Sequence, residues 1–422
     1  MTIDPGKKGW LTNYLEYRKA LFQSFFEQTD KDLHPEQSLY KLLQPNGLLY
    51  GHPILKENIV PEDGSMSNLN KIKVLMAESL INGSLILRQH EINSEDDFSE
   101  VIMETVRYIG NFYQKVYPEL SVSGRTLFGR KKSPLEIAEK ILEKRIDIHE
   151  GNDNFWLNFF NNSLLFLDIY LFGQWLNVGD DKHTALLFKN EKDTLRLTVV
   201  KVLAAAAHAN QNIEEEEQGL FDYFLQSSQL SATQKEQARN IFKEGVDIAN
   251  IDIPTHNSWL LKRYFLEMAI LIVWADRKLE ESEYAFLKRL NSRLGFHDED
   301  LENSLLAVEG FVLENWEYLE NLRSGHEYTE VSQEYLQRVH KLAERNAARI
   351  ASEVEAQSEL QKLLSKARSG NLTDQEAALL KEDLIRVLKR VPTFVIIGLP
   401  TAFLTLPMLL KILPEDILPK EE

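Results

Sequence analysis

The strongest constraint on this chain lies at residues 391–413, a run with no charged side chain before Lys411 and notched by Pro392, Pro400 and Pro407. So long an apolar run is stable only out of water, and its length suits the roughly 20 residues that a helix needs to cross a bilayer. Each proline removes a backbone donor, which disfavours a straight solitary helix. Membrane helices tolerate such notches where neighbours or side chains satisfy the freed carbonyls, and Thr401 and Thr405 are placed to help. Lys381, Arg386, Lys389 and Arg390 precede the run, against Lys411 and Lys420 after it. That bias favours a cytoplasmic amino-terminal side. The expectation is one C-terminal, proline-containing transmembrane helix followed by Pro414, with a buried core helix as the alternative.

The rest of the chain reads as all-α, in parts. Residues 1–190 form an N-terminal helical domain: Leu11, Tyr14, Leu15, Leu21 and Phe25 share one helical face, and Val101, Ile102, Val106, Ile109 and Phe112 share another. Turns are expected at Gln44-Pro45-Asn46-Gly47 and Pro61-Glu62-Asp63-Gly64. The glycine-flanked stretch Gly124–Lys132 is a basic loop, but no strand precedes it as a phosphate-cradling turn requires. Residues 155–176 are very apolar yet carry Asn158, Asn161, Asn162, Asp168 and Gln174, so they fit a buried helix better than a span. Residues 316–371 have the composition of a long connecting amphipathic helix, whose apolar stripe Asn346 and Gln357 interrupt. Gly370-Asn371 stops it, and Thr373-Asp374-Gln375-Glu376 has the form of a capping box opening the segment 372–422.

Residues 191–315 contain a repeat. His208-Ala209-Asn210-Gln211-Asn212-Ile213-Glu214-Glu215-Glu216-Glu217 aligns without gaps on Trp274-Ala275-Asp276-Arg277-Lys278-Leu279-Glu280-Glu281-Ser282-Glu283. Each copy sits between two amphipathic helices, so tandem helical hairpins in one bundle are expected. The acidic residues have a plain role, since carboxylates favour the positive end of a helix dipole. They also compose a cation site, because hard cations want several carboxylate oxygens together. The candidate ligands are Asn210, Glu214, Glu217, Asp276, Glu280 and Glu283, and a divalent cation is the cofactor they would take. His208 is the one histidine placed to join them.

This repeat resembles the tellurite-resistance TerB-like family, whose helical turns carry Ala-Asp-Gly-x-[Ile/Leu]-x-x-x-Glu. Ala275, Asp276, Leu279 and Glu283 match in one copy, and Ala209, Ile213 and Glu217 in the other, with Asn210 in place of the acid. The resemblance implies a stress-related helical module. The segment Leu372-Thr373…Glu376…Leu388-Lys389-Arg390-Val391-Pro392, then Pro400, Leu406-Pro407, Leu410-Lys411, Pro414 and Leu418-Pro419, resembles the leucine zipper–EF-hand transmembrane (Letm) family. Its members are inner-membrane proteins tied to cation/proton exchange, and a large helical body with such a tail looks like the bacterial Letm-related, biofilm-associated proteins. Ribosome binding in that family belongs to a domain after the span, which these 422 residues do not include, so it is not expected here.

Chemistry and charge narrow the function. The chain has no cysteine, which removes disulfides, thiolate nucleophiles and cysteine zinc sites. A net charge of −17 repels phosphate backbones, so no nucleic-acid partner is expected. The ten histidines form no His-x-x-x-His or His-Glu-x-x-His pattern, and no nucleophile elbow is present, so no enzyme is expected. Nor does the amino terminus have a signal peptide's apolar core. What remains is a helical interaction or scaffold protein, anchored in a bacterial inner membrane with its body in the cytoplasm. Its partners are membrane lipid and a protein or a second copy, and its setting is envelope or cation homeostasis. A component of a cation/proton exchange system is the alternative.

Overall fold

The computed structural model describes residues 3–28, 33–55, 66–126, 129–147, 155–179, 182–209, 215–275, 281–319, 327–414 and 417. All regular structure among them is helical, apart from an isolated antiparallel bridge between Arg125 and Lys131. The chain divides into two compact units, residues 1–265 and 266–422.

The first unit contains α1 (Trp10–Lys19), α2 (Phe22–Gln28), α3 (Pro35–Leu43), α4 (Asn68–Leu87), α5 (Glu95–Val116), α6 (Pro134–Asp147), α7 (Phe155–Ser163), α8 (Leu165–Val178), α9 (Lys182–Ala207), α10 (Glu215–Ser227), α11 (Ala232–Glu244) and the start of α12 (Trp259–Ala275). Its centre is α4, which packs on α3, α5, α6 and α8. Side-chain caps at Ser67, Ser94 and Ser231 satisfy orphan amides where α4, α5 and α11 begin. A buried polar cluster joins α1 to α4: Tyr14 Oη donates to Glu78, and Arg18 Nη2 donates to Asn82 Oδ1 at 2.7 Å. The apolar stretch 155–176 is indeed buried, as α7 and α8 with a break at Leu164. The turn expected at residues 44–47 is present, while that at 61–64 lies outside the described residues. In the basic stretch 124–132, Arg125 and Lys131 form the antiparallel bridge and Lys132 N donates to Gly124 O at 2.9 Å, while residues 127–128 lie outside the described residues.

The second unit holds α13 (Glu281–Arg293), α14 (Asp298–Glu314), α15 (Tyr328–Arg345), α16 (Ala347–Glu355), α17 (Ser358–Arg368), α18 (Asp374–Leu388), α19 (Pro392–Ile396) and α20 (Leu406–Ile412). The long connecting helix expected over 316–371 is replaced by α15, α16 and α17. The breaks fall at Asn346 and Gln357, where each side-chain amide bonds a carbonyl four residues back and competes with the helix ladder. Its apolar stripe folds onto a core through Val339, Ala343, Ile350, Val354, Leu360 and Leu364. Gly370, at φ 71°, follows the end of α17, and the Thr373–Glu376 capping box starts α18 as expected. The bundle expected over 191–315 is divided: α9 and α10 belong to the first unit, α13 and α14 to the second. No boundary falls at residue 190, because α9 runs through it unbroken.

Residues 391–413 fold as two short helices and not as the one continuous proline-containing helix expected. Pro392 and Pro407 each stand within the first two positions of a short helix, α19 and α20, where a missing amide costs no intrahelical bond. Gly398, at φ 58°, follows α19 in the left-handed region. The prolines start helices instead of notching one. Val391, Phe394, Ile397, Leu404, Leu409 and Ile412 join a core with Tyr335, Val339 and Leu342 of α15. Pro400 and Pro414 are buried, whereas Ala402, Pro407 and Lys411 are exposed. Among the described residues, no helix is long and apolar enough to cross a membrane.

Gly310 on α14 lets this segment approach. A Cβ there would lie 3.0 Å from Tyr335 Oη and 3.3 Å from the Pro400 ring. Gly310→Val should therefore push the 399–400 turn off α14 and cost about 1–3 kcal/mol by overpacking. Thermal unfolding, with limited proteolysis around residue 400, checks this; wild-type values for both would refute the close approach.

Candidate functional site

Asp168 is a fully enclosed charge of the first unit, and helices α5, α6 and α9 pack their side chains around it from beside α8. It sits on α8 amid Leu165, Phe166, Leu167 and Ile169, where an unpaired carboxylate could not remain ionised. Arg145 from α6 answers it in a fork, with Nε at 2.7 Å from Oδ2 and Nη2 at 3.3 Å from Oδ1. From α5 and the residue after it come two phenols: Tyr113 Oη donates to Oδ2 at 3.0 Å and Tyr117 Oη to Oδ1 at 2.6 Å. Arg196 on α9 brings Nη2 to 3.9 Å from Oδ1, too far for a hydrogen bond. Exposure is 0% for Asp168 and 1% for each arginine.

The electrostatics follow from burial and pairing. Burial works to raise the Asp168 carboxyl, yet the Arg145 charge and hydrogen bonds, aided by Arg196 and Tyr117, hold it below its usual value. Tyr113 and Tyr117 are pushed well above the usual phenol value, by burial first and then by the facing carboxylate. Both phenols therefore stay neutral donors. Lys192, one turn before Arg196, is lowered by burial and then by the Arg196 charge. The Tyr117 ring lies amid all three cations: Lys192 Nζ is 4.7 Å from its centroid, Arg196 Cζ 5.6 Å and Arg145 Cζ 5.9 Å.

The arrangement binds charge firmly and moves no proton readily. Each of Asp168's oxygens already accepts from a phenol and a guanidinium, so it is a poor base. Its yield is a fixed geometry for α5, α6, α8 and α9.

The residues singled out as cation ligands fare differently. Asn210, Glu214, Asp276 and Glu280 lie outside the described residues, as does the side chain of Glu217 near the start of α10. Glu283 is buried in the first turn of α13. Among the described residues no group of three or more histidine, aspartate or glutamate side chains is placed to hold a metal. His208 is engaged structurally: its Nε2 meets the Phe242 carbonyl, and its ring lies 5.6 Å from that of Phe242. The membrane-segment residues Pro392, Pro400, Pro407, Lys411 and Pro414 are found in the core and turns of the second unit, as described above. Compared with protein-family models, with curated proteins and with solved structures, the chain matches none.

Sequence reasoning passed over Arg145, Lys192, Arg196, Tyr113 and Tyr117. Asp168 was the available signal, since a lone carboxylate inside an apolar helix demands a buried cation. Which cation answers it depends on packing between helices distant in sequence.

The depressed Asp168 carboxyl contributes stability that is fully present above its unfolded value, 3.8, and is lost as pH falls through the folded one. The raised phenols act in the opposite sense, their contribution falling away as pH rises above 10.0. Asp168→Asn keeps an acceptor but strands Arg145, and should cost about 3–5 kcal/mol at neutral pH. It should also flatten the loss of stability below about pH 4. Denaturant melts of both proteins from pH 3 to 7 measure the two effects, and parallel curves would remove Asp168 as the titrating group.

Proposed function

We propose that this chain is a helical interaction or scaffold protein attached to a bacterial inner membrane through residues 391–413. The observation that carries this reading is the run 391–410, which contains no Asp, Glu, Lys or Arg. Within the second unit these side chains fill a core, and a bilayer interior is an apolar medium of similar quality. Exchanging one for the other costs the segment's apolar side chains little. What it leaves behind is an apolar face on α15, at Tyr335, Val339 and Leu342, which a protein partner or second copy would have to cover. A scaffold also suits the Asp168 cluster, whose carboxylate is held on both oxygens by Arg145 and the two phenols. The acidic repeat at 210–217 and 276–283 is the place for a divalent cation in this reading.

Ala402 separates the packed and inserted forms. It is exposed in the packed form, with its amide donating to Glu314 Oε1 at 3.0 Å, so a lysine there leaves the core intact. Near the middle of a span the same lysine costs about 2.5–3.5 kcal/mol. In cells making the full chain, the wild-type protein should stay with membranes through alkaline extraction. Ala402→Lys should shift it to the supernatant at an unchanged melting temperature. Wild-type protein in the supernatant would sink the attachment.

A further inference from the structure

The Asp168 cluster holds more positive charge than its carboxylate can answer. Two guanidiniums, from Arg145 and Arg196, share one aspartate, and both phenols are neutral. Arg145 takes both carboxylate oxygens. Arg196 is left over: neither its Nε nor its Nη2 has an acceptor among the described residues, and Arg145 Nη1 has none either. Two exposed acids of this region pair with another cation, Glu119 at 3.9 Å and Asp193 at 3.6 Å from Lys192. Three unpaired donors and one charge without a hydrogen-bonded counter-charge thus lie near the Tyr117 ring in a place almost closed to solvent. Water could accept from these donors, but it brings no charge, and a buried guanidinium without a counter-charge is strongly unfavourable.

We propose that the buried cluster of Arg145, Lys192 and Arg196 around Tyr117 binds a small monovalent anion of the halide type, chloride under ordinary conditions. One negative charge balances the guanidinium pair. The enclosure disfavours a larger or doubly charged anion, whose desolvation costs more than these donors return. The ring of Tyr117 collects the cations and its hydroxyl is spent on Asp168, so the anion meets guanidinium N–H groups and not the phenol. The site is independent of membrane attachment, because it lies wholly within residues 1–265.

The test uses the full chain. Crystals grown with bromide in place of chloride should give an anomalous peak within hydrogen-bond reach of Arg196 Nε. At fixed ionic strength, replacing gluconate by chloride should raise the wild-type melting temperature by about 3 °C and leave Arg196→Met unmoved. A bromide map with peaks at the molecular surface alone, or with water at Arg196, overturns the proposal. The map alone decides should Arg196→Met fail to fold.

Discussion

The ion pair between Asp168 and Arg145 is the constraint on which the first unit rests. A carboxylate at 0% exposure is tolerable only if the protein replaces its water. Here the replacement comes from α5, α6 and α9 acting on α8. Because the two arginines and two phenols come from outside α8, assembling the cluster constrains α5, α6, α8 and α9 together, and loosening any of them uncovers the same carboxylate. Around it the packing is aromatic and close. Phe112 stands edge-on to Phe172 at 5.5 Å and to Trp175 at 5.8 Å, so the charges are set in an apolar wall. Charge and wall support each other, since the low dielectric that makes the pair costly also strengthens it.

The second unit rests on apolar burial. Its core takes in side chains from α14, α15, α16, α17, α18, α19 and α20, and the ion pairs around it are mostly at the rim, such as Arg390 with Glu353 at 2.9 Å. Prolines do the shaping. With Pro392 and Pro407 opening short helices and Pro400 seated against Gly310, a run that reads as one long apolar segment is cut into pieces. Apolar length alone cannot tell a core from a bilayer, because both exclude water. Helix continuity matters as well, since backbone groups freed at a break need partners from neighbouring chain or side chains wherever water is excluded.

Much of this was legible in local pattern. The all-helical class, the stop at Gly370, the Thr373–Glu376 capping box and the interrupted apolar stripe within residues 316–371 were all read from residue spacing. Asn346 and Gln357 were visible as interruptions of that stripe, although not as ends of separate helices. The cation-site residues are a different case, since most of that acidic repeat lies outside the described residues.

By itself the sequence determined what is local: helix periodicity, caps, stops, and the need of Asp168 for a buried partner. These depend on side chains within a turn or two of one another, so the chain spells them out in order. Tertiary structure alone decided that Arg145, 23 residues away, and Tyr117, 51 away, would meet that need. It also decided that residues 391–413 would pair with α15. Such contacts depend on which helix faces close against which, and many apolar faces along the chain are equally greasy. Complementary shape and the burial of one unpayable charge select among them.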